Sequence, residues 1–156
     1  MQDRYLFRGK RIDNGEWVIG NRIDDGVTGQ VFIHAVGNSV NESDKVGEEG
    51  CLQFVAFEVA PSTICQCTGL KDKNGKLIWE NDVVKDLFSD TYAPIRYGSY
   101  QNCFDSTKAE HIGFYVDWSG KYTKNYRKDL GYFIHMVDAE AIGNIFDNPE
   151  LLESEE

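Results

Sequence analysis

The stretch Thr68–Lys85, which reads TGLKDKNGKLIWENDVVK, constrains the fold most, because it places two turn signals and one strand entry within eighteen residues. In the first turn Asn74 and Gly75 both tolerate positive φ angles, which predicts a type I′ hairpin. The apolar run Leu77–Trp79 then predicts a buried strand. The second turn, Glu80–Asp82, is again rich in residues that tolerate a left-handed backbone, and a further strand follows it. This pattern specifies a β fold and, by itself, no reaction.

The remainder of the chain continues in short strands and tight turns. Asn14-Gly15 gives another hairpin signal, and residues 111–118 alternate so that Ile112, Phe114, Val116 and Trp118 share one side. Asn148 followed by Pro149 predicts one short terminal helix. Strands are expected within residues 4–12, 16–23, 30–35, 52–59, 77–79, 83–84, 93–100, 111–118, 131–137 and 140–146.

Evenly spaced short strands predict a mainly β protein. We expect residues 77–146 to supply five strands of a small SH3-like barrel, because the step Asn81-Asp82-Val83-Val84 is similar to the strand entry of such barrels. Residues 1–67 would form an additional N-terminal β lobe packed with it, and residues 68–156 the barrel region with its tail. One continuous domain is the alternative division.

Several of these motifs also resemble a known family. TGLKDKNGK at 68–76, NDVV at 81–84 and IGNIFDNPELL at 142–152 are similar to the YopX family of bacteriophage and prophage proteins, as are FRGK at 7–10 and GEWV at 15–18. Asn81 replaces the family's usual glycine, a change that a left-handed turn position accepts. Cys65 and Cys67 stand where relatives often have glycine and an aromatic residue. The resemblance implies a phage-derived, mostly β protein and brings no established activity.

The charge balance limits the classes of partner. The chain has 16 basic and 26 acidic residues, so its net charge of −10 repels phosphate backbones and favours solubility. No signal-peptide pattern and no apolar run of membrane-spanning length is present, which predicts a cytoplasmic protein with reduced thiols and no membrane partner.

Cysteine and histidine are weak signals of metal binding in this chain. Cys65 and Cys67 would lie on one side of an extended segment, and with Cys51, Cys103 and a histidine they offer the donor types of a zinc site. Zinc ligands usually arrive in paired C-x₂₋₄-C spacing, so we expect buried thiols, and neither metal nor cofactor. The histidines, all placed in predicted strands, are His34, His111 and His135.

Catalytic motifs are also missing from the sequence. There is no G-x-S-x-G, no H-E-x-x-H and no phosphate-binding glycine loop. Gly75-Lys76 opens a strand, whereas a P-loop would need Gly-Lys-Ser/Thr at the start of a helix. We therefore expect no enzymatic activity and assign no catalytic residue.

One basic stretch, residues 121–128, contrasts with this acidic chain. It has four positive charges, no acid and two interleaved tyrosines, the combination that binds single-stranded nucleic acid. An ordinary solvated loop is the alternative interpretation. The candidate binding residues are Lys121, Tyr122, Lys124, Tyr126, Arg127 and Lys128.

The sequence favours a non-enzymatic interaction or accessory module. Its partner would be another protein or a second copy, bound through sheet edges or an aromatic-bearing face. A nucleic-acid accessory role through Lys121–Lys128 is the alternative.

Overall fold

In the computed structural model, the residues described are 3–35, 55–85, 91–101, 109–118, 127–137 and 139–153. The chain divides into two compact units, Met1–Cys67 and Thr68–Glu156. The described strands form antiparallel sheets, so the prediction of a mainly β protein is confirmed. These strands are β1 (Phe7–Lys10), β2 (Trp17–Asp24), β3 (Val31–Ala35), β4 (Ala56–Val59), β5 (Cys65–Lys71), β6 (Leu77–Trp79), β7 (Asp82–Lys85), β8 (Tyr92–Gln101), β9 (Glu110–Asp117), β10 (Arg127–Asp129) and β11 (Ala141–Asn144).

The first unit is a curled sheet around its own small core. Its strand order is β4-β3-β2-β1-β5, and β4 returns to the chain just after β1 through a bridge between Val59 and Arg11. Alternation along the strands directs their apolar residues inward, where partly buried Phe7, Phe57 and Ile64 complete the packing. The buried members of this core are Val18, Val31, Ile33, Ala35 and Val59.

Two hairpin loops of the first unit have the same hydrogen-bond pattern. In each, the N–H of a glycine donates to the carbonyl four residues earlier at 3.0 Å, Gly15 to Arg11 and Gly29 to Asp25. The φ angles of Gly15 and Gly29 are +74° and +76°, a region where a side chain would be strained. Each loop therefore closes on a glycine.

Among its described residues, the second unit has a five-stranded sheet and one short α-helix, and β6 is the neighbour of β5. The sheet order is β10-β9-β8-β7-β11, and every described pairing is antiparallel. Within the described ranges this sheet stays open, and neither a closed barrel nor the SH3-like assignment is confirmed. Its core consists of Ile78, Val84, Ala93, Ile95, Val116, Leu130, Phe133, Ile134 and Ala139.

The helix α1 (Leu130–Val137) corrects the predicted strand at 131–137. The carboxylate of Asp129 accepts the N–H of Tyr132 at 2.8 Å, as an N-cap does, and starts the helix. The run of aromatic and branched residues favours a strand locally, but positions three and four apart bury one helical stripe. That stripe consists of Leu130, Phe133 and Ile134. The end of the basic stretch 121–128 is part of a strand and not of a loop, because β10 occupies Arg127–Asp129.

The hairpin at Asn74-Gly75 is confirmed as a turn, but its predicted type is wrong. Gly75 has φ +79°, whereas Asn81 is the only non-glycine with positive φ among the described residues. The N–H of Gly75 donates to the carbonyl of Asp72 at 2.9 Å, and Lys76 closes the loop. This is a three-residue loop, in which an ordinary turn is followed by a left-handed glycine.

The tail forms a short 3-10 helix, Pro149–Leu152, with proline at its first turn as predicted. The side chain of Asn148 makes no capping bond, contrary to the prediction. Its Oδ1 instead accepts the backbone N–H of Asn144 at 3.4 Å. No helix in the described ranges has the length and apolarity needed to span a membrane.

Candidate functional site

The predicted binding stretch lies largely outside the described residues. Lys121, Tyr122, Lys124 and Tyr126 fall in that part, while Arg127 and Lys128 begin β10, an edge strand of the second sheet. Along the backbone, Arg127 pairs with Asp117 and Lys128 with Val116. Because most of this stretch lies outside the described residues, nucleic-acid binding through it stays a prediction.

The cysteines and histidines that the sequence singled out do not assemble into a site within the described ranges. Cys65 and Cys67 are both buried in β5, and the thiol of Cys65 donates to the carbonyl of Thr63 at 3.2 Å. Cys51 and Cys103 lie outside the described residues. No group of three or more metal-ligating side chains occurs in the described ranges. Histidines occupy β3 and β9 as predicted, but His135 is in α1, which corrects its expected strand position.

Among the described residues of the second unit, β8 and β9 form the longest ladder. Seven consecutive residues of each strand pair without a bulge, from Ile95 opposite Val116 to Gln101 opposite Glu110. Side chains of successive rungs alternate between the two sides of the ladder. One side therefore contains Ile95 and Val116 at its inner end, and Tyr97, Ile112 and Phe114 farther out.

That side is buried at one end and exposed at the other. Ile95 and Val116 have no exposed surface, because α1 packs against them as part of the core. Farther along, Tyr97 is 55% exposed and Ile112 74% exposed, while Phe114 is half-buried. The rings of Tyr97 and Phe114 meet edge to face, with centroids 5.1 Å apart. We call Tyr97, Ile112 and Phe114 the β8–β9 apolar row.

The opposite side of the hairpin has a cluster of aromatic and ionisable side chains. The ring of Tyr100 stacks on His111 with centroids 5.6 Å apart and lies 6.0 Å from the ring of Tyr115. These rings cover glycines, since a Cβ at Gly98 or Gly113 would lie 3.6 Å from the nearest tyrosine. We call Tyr100, His111, Tyr115 and Asp129 the Tyr100 cluster.

Within this cluster, the Tyr100 hydroxyl is a hydrogen-bond donor. It donates to Oδ2 of Asp129 at 2.6 Å. Burial, followed by the hydrogen bond and the charge of Asp129, raises the pKa of Tyr100 to about 12. Because the other carboxylate oxygen of Asp129 caps α1, Asp129 joins the hairpin to the helix. Both groups are therefore engaged in bonds that hold the fold together.

Asp72 forms a second polar centre, almost entirely inside the protein. It is 6% exposed, and its Oδ1 accepts the N–H groups of Asn74 and Lys76 at 2.9 and 3.0 Å. Its Oδ2 accepts the N–H of Ala141 at 3.3 Å, from a strand 69 residues later. The ammonium of Lys73 also pairs with Glu140 at 3.0 Å. The 72–76 hairpin is thus fastened to the start of β11.

The second turn is anchored in a similar way. Asn81 has φ +66°, its N–H donates to the carbonyl of Ile95 at 2.8 Å, and its own carbonyl accepts the N–H of Ile145 at 3.0 Å. The buried carboxylate of Asp82 accepts the N–H of Trp79 at 2.9 Å. The predicted left-handed turn at Asn81 is confirmed.

Comparison with known families decides the kinship of this chain. The family described as YopX protein matches residues 6–153, nearly the whole chain. The chain belongs to the YopX family. A comparison with curated proteins gives no match.

Several residues of the motifs that first indicated the YopX family make hydrogen bonds that stabilise turns and connect strands. In its last motif, Asn144 Oδ1 accepts the N–H groups of Phe146 and Asp147 at 3.0 and 2.9 Å. Gly143 leaves room for Asn148, since a Cβ there would lie 2.4 Å from Asn148 Oδ1. Together with the contacts of Asp72 and Asn81, these bonds connect the three YopX motifs of the second unit, at 68–76, 81–84 and 142–152.

Sequence reasoning missed both sides of the β8–β9 hairpin as a site. The alternation of Ile112, Phe114 and Val116 was predicted. Alternation shows which residues share a side of the sheet, but it does not show which part of that side is buried under other elements. Tyr100 and Asp129 are 29 positions apart and match no short motif, so no local signal relates them.

Proposed function

We propose that this YopX-family chain is a non-enzymatic protein-interaction module that binds its partner through the β8–β9 apolar row. The supporting observation is that Tyr97 and Ile112 are exposed. They lie on the same side of the ladder as Ile95 and Val116, which are part of the core. Large exposed apolar groups that adjoin one another are typical of interaction sites, and aromatic residues are enriched at interface centres.

The geometry of the row suits it to binding. It lies on a regular two-stranded ladder, and Phe114 packs both on the core and against the Tyr97 ring. A rigid surface loses little conformational entropy when a partner binds. Complete burial of a side chain such as isoleucine is worth about 1.5–3 kcal/mol, so one contact at Ile112 would influence affinity strongly.

We further propose that the chain has no catalytic role. The support comes from the Tyr100 cluster, the set of ionisable groups that the hairpin brings together. Tyr100 donates its hydroxyl to Asp129, whose other oxygen accepts a helix N–H. Tyr100 is not poised as an acid or base near neutral pH, because burial and its hydrogen bond to Asp129 raise its pKa to about 12.

The biological setting is part of the same proposal. Kinship with the YopX family supports a phage or prophage origin. The buried thiols of Cys65 and Cys67 suit a reducing compartment such as the cytoplasm. Self-association through the β8–β9 apolar row would make the chain a homo-oligomer, and this is the alternative identity of the partner.

A nucleic-acid accessory role is the second candidate. It is favoured by the basic composition of residues 121–128, of which Arg127 and Lys128 lie in the edge strand β10. Fluorescence anisotropy with a labelled single strand tests it, because affinity must fall steeply as salt rises. No binding at low salt would eliminate this role.

Site-specific photo-crosslinking tests the main proposal. A photoreactive amino acid replaces Ile112 in the full chain, and the matched control replaces Val27, which is 93% exposed in a hairpin loop of the first unit. We expect a discrete protein adduct at position 112 that excess wild-type protein suppresses and Ile112→Ser protein does not. Equal adducts at both positions, or none at 112, would rule out the apolar row as the contact surface.

A further inference from the structure

We infer that the partner presents apolar side chains beside a lysine or arginine, which pairs with Glu110 at the outer end of the β8–β9 apolar row. This inference rests on the proposed function and specifies the chemistry of the partner. It starts from the ladder, in which Glu110 lies two residues from Ile112 on the same side. Glu110 and its cross-strand neighbour Gln101 are both exposed.

The side of the hairpin that contains the row therefore changes from buried and apolar to exposed and polar along its length. From the core outward, its rungs are Ile95–Val116, Tyr97–Phe114, Ser99–Ile112 and Gln101–Glu110. The first rung is buried, the next two are apolar or small, and the last is polar and acidic. With about 3.4 Å per residue along a strand, the Glu110 position lies roughly 7 Å from that of Ile112.

The negative net charge of the chain favours a different, basic protein over a second copy as the partner. Residues 68–156 contain 10 basic and 16 acidic residues, a net charge of −6 in the unit that contains the row. Two copies of a chain with net charge −10 repel each other, whereas a basic partner is attracted to it. In the described ranges no ion pair involves Glu110, and the residue is exposed to solvent.

Together these features specify one kind of ligand. It is a protein segment with one or two large apolar side chains, and a basic residue displaced from them by about 7 Å. A strand reaches that spacing with residues two apart, and a helix with residues four apart. The apolar contacts would provide most of the affinity, and the ion pair would orient the segment.

Selection from a random twelve-residue peptide library, displayed and panned against the wild-type chain, tests this inference. Counter-selection uses Ile112→Ser, which removes the apolar contact at an exposed position and should leave the fold intact. We expect the enriched peptides to combine apolar residues with lysine or arginine. Their affinity should fall about tenfold for Ile112→Ser and about threefold for Glu110→Gln. Only the Glu110→Gln change should reduce the dependence of affinity on salt.

The outcomes separate this inference from the function on which it rests. Enriched peptides that need Ile112 but have no basic residue, or that bind Glu110→Gln as tightly as wild type, would overturn the basic partner and retain the interaction module. No enrichment that depends on Ile112 would overturn both. A dimer in light scattering that Ile112→Ser dissociates would show the second copy to be the partner and refute the basic ligand.

Discussion

Replacing Asp72 by alanine tests whether the YopX signature is a structural network. The change removes the acceptor of three backbone N–H groups, those of Asn74, Lys76 and Ala141. Ala141 is buried, so its N–H loses its partner at a cost of about 1–3 kcal/mol. Asn74 and Lys76 are exposed, so water can partly replace the lost hydrogen bonds of their N–H groups. Each of these two losses should therefore cost only about 0.5–1 kcal/mol. The free energy of unfolding should fall by roughly 2–5 kcal/mol.

Thermal and urea unfolding, followed by circular dichroism, measure this effect. A chain of this length loses about 2–4 °C in Tm per kcal/mol, so a decrease of roughly 4–20 °C is expected. Asp72→Asn keeps one oxygen for Asn74 and Lys76 but presents an amide to Ala141, and should fall between wild type and alanine. Asp13→Ala, in an exposed hairpin loop, is the matched control and should leave Tm nearly unchanged. If Asp72→Ala melts like Asp13→Ala, the network does not hold the fold together.

Three further changes test local features of the fold. Gly20→Ala should lower the free energy of unfolding by about 1–3 kcal/mol or more, because its Cβ would lie 1.8 Å from a carbonyl oxygen of the next strand; Gly26→Ala, with open space around it, should be neutral in the same urea titration. Gly75→Val should cost roughly 1–3 kcal/mol, since φ is +79° there, and an unchanged thermal melt would refute the left-handed turn. In an alkaline absorbance titration, Tyr100→Phe should remove a group with pKa about 12. Because the folded pKa of Tyr100 is above its unfolded value of 10, its contribution to stability is complete below pH 10 and is lost as pH rises through 12; a variant with the same alkaline unfolding as wild type would contradict this.

Local chemistry predicted the turns because their causes are local. A left-handed backbone at Gly75 and Asn81 follows from the residue types themselves. The turn type at 73–75 did not follow, because Asp72 holds the loop with its side chain and gives Asn74 an ordinary φ. The same aspartate bonds Ala141, a contact across 69 residues that no window along the sequence contains.

Tertiary packing decided the features that the sequence did not predict. The helix α1 has only eight residues, too few for a periodicity to stand out, and it forms because Asp129 caps it and the core covers one stripe. That helix covers only the inner end of the β8–β9 ladder. Alternation therefore placed Ile112 and Val116 on the same side correctly, yet Val116 is fully buried and Ile112 is mostly exposed.

The dissociation constant of the protein captured at position 112 tests the central claim most directly. It is measured by titration calorimetry with the wild-type chain, Ile112→Ser, and the control Val27→Ser. We predict that Ile112→Ser weakens binding at least about tenfold, while Val27→Ser binds as wild type and all three chains melt at the same temperature. Equal affinity for Ile112→Ser and wild type would contradict the proposal that the β8–β9 apolar row is the binding surface.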